Sequence, residues 1–329
     1  MGRTTTTSSS ATRSLGSPWL SYQAVKPLLT WHGAVDALRE GHALLPPSQG
    51  DVLLGPDGGM ILARVAHMAG LGYGVKAETV VPSNAARNLP SVQGAVLLFD
   101  PDTGSVHAVI ESAIVTEFKT AADSILGAQL LALPDAEELL IVGAGTVARS
   151  LVYAYSAIFS GLKRINVWAR NHAKAQAFVD SIHGVTATVT AVDDLKAAVQ
   201  GAHIMSSATM SKTPLILGEW VQAGTHVDLI GAFTPEMRES DDALMAKARV
   251  FVDCKETTID RIGDLTGPIA SGAITRDDVK GDLFDMLANT SLCHRRPSDV
   301  TVFKNGGGAH LDLMIANYIA RAAEAARAL

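Results

Sequence analysis

Residues 139–148 constrain the fold of this chain more than any other stretch. Leu139-Leu140-Ile141-Val142 is a short apolar run, Gly143-Ala144-Gly145-Thr146-Val147-Ala148 follows as G-x-G-x-x-A, and a helical pattern comes next. Glycine at the first position permits a tight turn. Glycine at the second lets the backbone approach a pyrophosphate, and alanine at the third keeps helix and strand close. The positive end of the helix then faces the anion. A glycine-rich turn alone is a weak sign. Between a strand and a helix it predicts a dinucleotide site built on Gly143, Gly145, Thr146, Val147 and Ala148.

The residues beyond it extend that reading. Strand-like runs at Leu139 to Val142, Ile165 to Trp168, Thr186 to Thr190, Ile204 to Ser206, His226 to Ile230 and Val250 to Asp253 alternate with helical stretches. Such alternation predicts a parallel, doubly wound sheet, complete by Asp253. Upstream, Ile61 to Ala66, Leu71 to Val81, Ala95 to Phe99 and Val106 to Glu111 read as strands of an antiparallel or mixed sheet, after a short amphipathic helix from Trp31 to Glu40. Ala113 to Leu133 reads as a long helix bridging the two parts, and Ala309 to Ala328 as a helix returning to the first. The expected fold class is α/β: a Rossmann parallel sheet inserted into a second, α+β unit. The expected division is a disordered tail over 1–17, the second unit over 18–125 and 305–329, and the Rossmann unit over 126–304.

The end of the second Rossmann strand selects the cofactor. An acidic residue there would bond a ribose 2′-hydroxyl and repel a 2′-phosphate, but the strand ends Trp168-Ala169-Arg170-Asn171. Arg170, with Asn171 and Lys174 beside it, is free to pair with a phosphate, so NADPH is expected, with NADH possible. Arg170 as a solvated loop residue is the competing reading.

Composition narrows the partners. The 329 residues are 47% hydrophobic and 18% charged with a net charge of -6, which provides for packed cores and gives no basic footprint for nucleic acid. The two cysteines, Cys254 and Cys293, have no spacing that suggests a disulfide scaffold or metal site. No metal, nucleic acid or membrane is expected, and a cytoplasmic setting fits. Gly2 and Thr6 satisfy a loose myristoylation pattern and Arg3 and Arg13 a transit-peptide pattern, but an undecorated tail is expected. His67, His107 and His226 read as satisfied core or surface groups, Asp241-Asp242 as a helix start, and Met205, Met210, Met237 and Met245 as packing.

Several segments together carry a resemblance. They are Gly74-Val75-Lys76, Pro82-Ser83-Asn84, Leu89-Pro90-Ser91-Val92-Gln93-Gly94 and Thr116-Glu117-Phe118-Lys119-Thr120-Ala121-Ala122. The Rossmann loop, Ala208-Thr209-Met210-Ser211, Gly263-Asp264-Leu265 and Thr301-Val302-Phe303-Lys304 continue the series. From about Trp31 onward the chain resembles the ornithine cyclodeaminase/mu-crystallin family, nearest to its imine reductases. That resemblance implies a homodimer joined through the second unit and reduction of a small, cyclic imine such as pyrroline-2-carboxylate or piperideine-2-carboxylate. It implies that Lys76 contacts a substrate carboxylate, aided by Lys119, and that Thr120, Ala208 and Thr209 contact the cofactor. Ser91 either bonds the substrate or is a turn serine, and His310 lies beside a loop near the nicotinamide.

The departures from the family are informative. Lys119 stands where an arginine is usual, and no arginine lies near Pro46-Pro47-Ser48-Gln49, so a guanidinium clamp is expected to be missing at both places. Phe233 stands where cyclodeaminases carry an aspartate. A ring cannot pair an ammonium group, which favours reduction over an ornithine cyclodeaminase-type lyase. A binding protein like mu-crystallin, holding NADP and a small ligand, is the third reading.

Overall fold

The computed structural model describes residues 19–56 and 58–328. The expected tail over 1–17 lies outside the described residues. Two sheets organise the rest. The first contains β1 (Trp19–Leu20), β2 (Ser48–Leu54), β3 (Met60–Met68), β4 (Gly72–Val80), β5 (Val92–Phe99) and β6 (Val106–Glu111), in the order β1-β6-β5-β4-β3-β2. Its pairings are antiparallel except for β1 on β6, so the sheet is mixed.

Period-two alternation explains how β3 and β4 face the core. Ala66 and Met68 on β3 are buried, as are Gly72, Gly74, Lys76 and Glu78 on β4, whereas Ile61, Val65 and Tyr73 point outward. Leu62 and Arg64 share the face of Ala66 and Met68. β2 is a strand that sequence patterning misses, because Val52, Leu53 and Leu54 are all exposed and show no alternation. Close approach matters at Gly94: a Cβ there would lie 2.0 Å from the Ala77 carbonyl oxygen.

The second sheet is parallel throughout. It comprises β7 (Glu138–Val142), β8 (Arg164–Trp168), β9 (Thr188–Ala191), β10 (Ile204–Ser207), β11 (His226–Leu229), β12 (Arg249–Val252) and β13 (Thr301–Lys304), ordered β12-β13-β11-β10-β7-β8-β9. The expectation that this sheet is complete by Asp253 is corrected here. β13 inserts between β11 and β12, with Val302 opposite both Val227 and Val250. A four-residue run ending in lysine gives little hydrophobic signal, and only the sheet makes Lys304 a core residue.

Helices α1 (Tyr22–Val25) and α2 (Trp31–His42) lie between β1 and β2, and α3 (Ser112–Leu131) follows β6. The parallel strands are interleaved with α4 (Thr146–Ile158), α5 (His172–Asp180), α6 (Leu195–Gly201), α7 (Asp242–Lys247), α8 (Lys255–Thr258), α9 (Gly263–Ser271) and α10 (Leu283–Ala288). The chain ends in α11 (Ala309–Arg327), which packs across β3 and β4 and against α2 and α3. α3 touches both sheets and is buried around most of its circumference, so polar side chains on it are enclosed along with the apolar ones. Lys119, Asp123 and Ser124 are among them.

Candidate active site

The glycine loop forms as the sequence predicts. Gly143 has φ 125°, open to glycine but not to other L residues, and a Cβ there would lie 2.8 Å from the Ala208 carbonyl oxygen. Gly145 caps α4 without a side-chain hydrogen bond, its Cβ position is open, and no acidic residue lies in the first turn. That leaves free N–H groups at the positive end of a 13-residue helix, a fit for a pyrophosphate. Ala148 is fully buried behind the loop. A cavity of about 300 Å³ beside it is lined by Gly143, Trp168, Ala169, Arg170, Thr209 and Met210. Met210 is 72% exposed at this rim, which corrects its reading as a packing residue. Asn171 caps α5 by accepting from the Lys174 N–H, so its side chain is engaged in the helix start, while Arg170 and Lys174 are exposed.

A fully buried carboxylate holds the loops after β10 and β11 from behind. Glu239 accepts from Ser207 Oγ at 2.6 Å, Thr209 N and Oγ1 at 2.8 Å, Gly231 N at 2.7 Å and Ala232 N at 3.1 Å. Lys304 Nζ donates to the Leu229 and Ala232 carbonyls and lies 3.5 Å from Asp264 Oδ2. Asp264 in turn accepts from the Glu239 and Ser240 N–H groups. Burial, and then neighbouring Asp264, push the Glu239 carboxyl up to about 7, against the opposing pull of Lys304. The matching segments around Asp264 and Lys304 therefore support the loops after β10 and β11 structurally.

A second cavity of about 490 Å³ joins the loop to the first sheet. Thr146, Val147 and Ser150 line one side, and Glu78, Pro90, Val92, Thr116 and Thr120 the other. Thr120 follows Lys119 on α3, and Glu78 lies 3.5 Å from Lys76 Nζ. The cleft is thus continuous with a buried cluster of charges. Lys76 Nζ donates to Asp312 of α11 at 3.1 Å. Both lysines are buried. The partner that Lys76 requires in an apolar run is supplied by the protein, through Asp312 and Glu78.

Arg64 completes this cluster, and sequence reasoning missed it. It pairs directly opposite Lys76 in the β3–β4 ladder and lies 3.5 Å from Asp51. A Cβ built on Gly307 would be 3.0 Å from Lys119 Nζ and 3.5 Å from a terminal nitrogen of Arg64. The two cations therefore converge on one point beside the 305–308 loop. Position 119 and the 46–49 stretch do lack an arginine, as the sequence shows, and β3 brings a guanidinium close to Lys119 from the strand paired with β2. The detectable signal was Arg64 standing on the same alternation face as Ala66 and Met68.

Burial lowers the Lys119 ammonium below the usual lysine range, and Lys76 and Arg64 push the same way while Asp312 opposes them. His310 lies within reach of this field. Its Nδ1 faces Gln49 Oε1 at 3.0 Å, and burial first, then His42, Lys119 and Arg64, lower its pKa well below the ordinary value. His42 stacks edge-on against it at 5.4 Å and is lowered to about 4, chiefly by burial. Both rings are therefore neutral at pH 7. Ser91 accepts the Val81 N–H through its carbonyl, and Phe233 is 60% exposed. No described contact joins either side chain to the cationic cluster. His67 stacks on Tyr73, His107 faces Glu324, and His226 meets Thr301 Oγ1, all away from the site.

A model of the ornithine cyclodeaminase/mu-crystallin family matches residues 55–327. The chain belongs to that family. It is 56% identical over 311 residues to a Delta(1)-pyrroline-2-carboxylate reductase of Paracoccus denitrificans, across 94% of this chain and 98% of the relative. The iminosuccinate reductase of Paracoccus denitrificans, solved in complex with NAD+, superposes with a TM-score of 0.85 at 26% identity over 94% of this chain and 97% of that one. Thermococcus litoralis Delta(1)-pyrroline-2-carboxylate reductase, solved with NADH and L-proline, shares the fold with a TM-score of 0.87 at 24% identity over 94% and 98% of the chains. In this family's frame, the cleft between glycine loop and cationic cluster is the candidate active site.

The neutral His42 makes a testable contribution to stability. Its folded pKa is depressed from 6.5 to about 4, so the unfolded chain binds its proton first as pH falls. The contribution is complete above pH 6.5 and is lost on the way down to about pH 4. His226, lowered to about 3, acts in the same sense, whereas Asp228 and Glu239, raised to about 6 and about 7, act oppositely. A difference between two proteins isolates the one group. Urea unfolding of wild type and His42→Phe at pH 7 and pH 4 should show the variant gaining roughly 3 kcal/mol relative to wild type at the lower pH. Parallel pH dependences would mean that His42 titrates as an exposed ring.

Proposed function

We propose that this protein reduces a small cyclic imine carrying a 2-carboxylate, of the pyrroline-2-carboxylate or piperideine-2-carboxylate type, using a reduced nicotinamide dinucleotide. The observation that carries this reading is the convergence of Arg64 and Lys119 on one point, with Lys76 adjacent, at the end of a cleft that opens onto the glycine loop. The relative that is 56% identical and is named a Delta(1)-pyrroline-2-carboxylate reductase supports the same chemistry.

The residues fit a dinucleotide: the uncapped α4 terminus suits the pyrophosphate, and the Arg170 cavity suits the adenosine end. When bound, the reduced nicotinamide supplies a hydride to the imine carbon. The chain's own groups supply orientation and charge. Arg64 and Lys76 hold the carboxylate, the guanidinium as a planar fork and the ammonium as a point charge. Glu78 and Asp312 keep Lys76 in place and offset its charge, so the site does not need the substrate to neutralise every cation. Phe233 offers no carboxylate to bind the distal amine of ornithine, which disfavours the lyase reading.

Arg170 at the end of β8, with no acid beside it, favours NADPH over NADH. The outer face of the first sheet carries Val52, Leu54, Ile61, Val65 and Tyr73, all exposed. An exposed apolar face of this kind fits a homodimer formed through the first sheet. No helix among the described residues is long and apolar enough to cross a membrane.

Steady-state NADPH oxidation with pyrroline-2-carboxylate tests the reaction itself. Lys76→Met or Arg64→Met should lower kcat/KM on the order of 30- to 1000-fold, the cost of a lost charge-assisted contact, while NADPH binding survives. Wild-type rates in both variants would move the site elsewhere. Fluorescence titration should show NADPH binding more tightly than NADH, with Arg170→Ala weakening NADPH about tenfold or more and leaving NADH unchanged. Equal affinities in wild type would refute the preference. Sedimentation at micromolar concentration should give a dimer, and a monomer alone would remove that assignment.

A further inference from the structure

Two acids line the cleft of about 490 Å³, and the fold uses them differently. Glu117 on α3 is occupied: Oε2 accepts from the Tyr22 hydroxyl at 2.6 Å, and Oε1 pairs with Lys26. Glu78 on β4 is more deeply enclosed, at 6% exposure, yet both of its contacts are long. Lys76 Nζ and Thr116 Oγ1 each stand 3.5 Å away, and no other donor among the described residues reaches it. Its cross-strand neighbours, Leu62 on β3 and Gly94 on β5, carry no polar side chain. A buried carboxylate can accept about four hydrogen bonds, and leaving it short of them is costly.

Lys76 does not account for this acid. Its ammonium is already matched by Asp312 at 3.1 Å, so a second carboxylate on the same lysine leaves negative charge over at the wall of the cleft. Arg64 and Lys119 answer to the other end of a substrate, because they converge beside the 305–308 loop. The site thus offers cations at one end and an unmatched acid in the cavity shared with Thr146, Val147 and Ser150 of the glycine-loop helix. Such polarity suits a ligand with an anion at one end and a cation at the other. A cyclic imine with a 2-carboxylate takes that form when its nitrogen is protonated.

We propose that Glu78 receives the N–H of the protonated imine and so selects and holds the iminium form for reduction. This rests on the imine reductase reading and deepens it. An opposite charge within about 4 to 6 Å favours the charged form of its neighbour by roughly 1 to 3 pH units, so a ring nitrogen that is neutral in solution binds protonated. The ring carbon then gains the hydride pair from the reduced nicotinamide, the C=N π pair withdraws onto nitrogen, and the proton already there stays. No further proton is needed in that step. The amine takes its second proton from water, and Glu78 remains a carboxylate throughout.

The surrounding charges leave this role to Glu78. Lys76 shares its strand, Arg64 on β3 stands opposite Lys76, and Asp312 from α11 pairs with Lys76. Helix α3 brings Glu117, already occupied, and Lys119, which faces the 305–308 loop. Tyr22 of α1 is held above its ordinary range by burial and by Glu117, so it keeps its proton and donates to Glu117. Across the cleft, Thr146, Val147 and Ser150 carry no charge.

Glu78→Gln keeps the shape and removes the charge. Two ligands of the oxidised-cofactor complex separate its effects: L-proline, whose ring nitrogen is cationic, and pyrrole-2-carboxylate, whose ring has the same size but a neutral N–H. Calorimetry should show the variant binding L-proline about tenfold or more weakly, and pyrrole-2-carboxylate within about threefold of wild type. The single-turnover rate of cofactor oxidation at saturating pyrroline-2-carboxylate reads the same charge. Its fall at alkaline pH should move down by about one pH unit or more in Glu78→Gln, because the bound iminium loses its counter-ion. Equal losses for both ligands would make Glu78 a support for Lys76 alone, and unchanged proline affinity or an unmoved pH profile would remove it from the site; each overturns the proposal. A wild-type protein that reduces no imine overturns the reaction reading instead, so the two failures are distinguishable.

Discussion

Holding cations out of water at one point is the constraint on which this site depends. Lys76, Lys119 and Arg64 come from β4, α3 and β3, and two of them are almost fully buried. An isolated buried ammonium would lose its proton or unfold the region, so Lys76 and Arg64 are each matched by an acid. Asp312 arrives on α11 and Glu78 two residues along β4 from Lys76, while Asp51 on β2 faces Arg64. The last helix therefore has a chemical task as well as a packing one. Without α11 across β3 and β4, Lys76 would have lost its nearest partner.

The same logic governs the cofactor side. Loops that approach a dinucleotide expose backbone N–H groups, and such loops need support from behind if they are to keep one shape. Glu239 ties the turns after β10 and β11 together through backbone and hydroxyl donors, and Lys304 and Asp264 hold Glu239 and its surroundings. A buried carboxylate accepting several donors is costly to remove, because each donor would be orphaned. α3 then links the two halves: Lys119 faces the cationic cluster, and Thr120 lines the cleft toward the glycine loop. The charged cluster on one side and the glycine loop on the other are held in register by consecutive residues of one buried helix.

Much of this was legible in the residues taken in order. The glycine loop, the parallel strands and the long helix announce themselves through local periodicity and turn chemistry, signals that need no knowledge of what packs where. Lys76 stood out as a charge in an apolar run, and Lys119 through the family resemblance. Asp312 and Glu239 did not, because each sits in a stretch where a charged residue is unremarkable until its neighbour from a distant segment is known. Asp312 meets Lys76 across 236 positions of chain, and Glu239 meets Thr209 across 30.

What the sequence determined by itself was the kind of sheet, the place of the dinucleotide turn and the presence of lysines needing partners. All three follow from interactions among residues a few positions apart. Tertiary structure decided the rest. β13 became an interior strand because the gap between β11 and β12 accepts it, although Thr301-Val302-Phe303-Lys304 is too short for its β-forming residues to place it in the sheet by themselves. A guanidinium reached the site from β3 because the register of two antiparallel strands sets Arg64 opposite Lys76. The charge state of each buried group was likewise settled by burial and by partners drawn from other elements, and those are properties of the folded molecule and not of any segment of the chain.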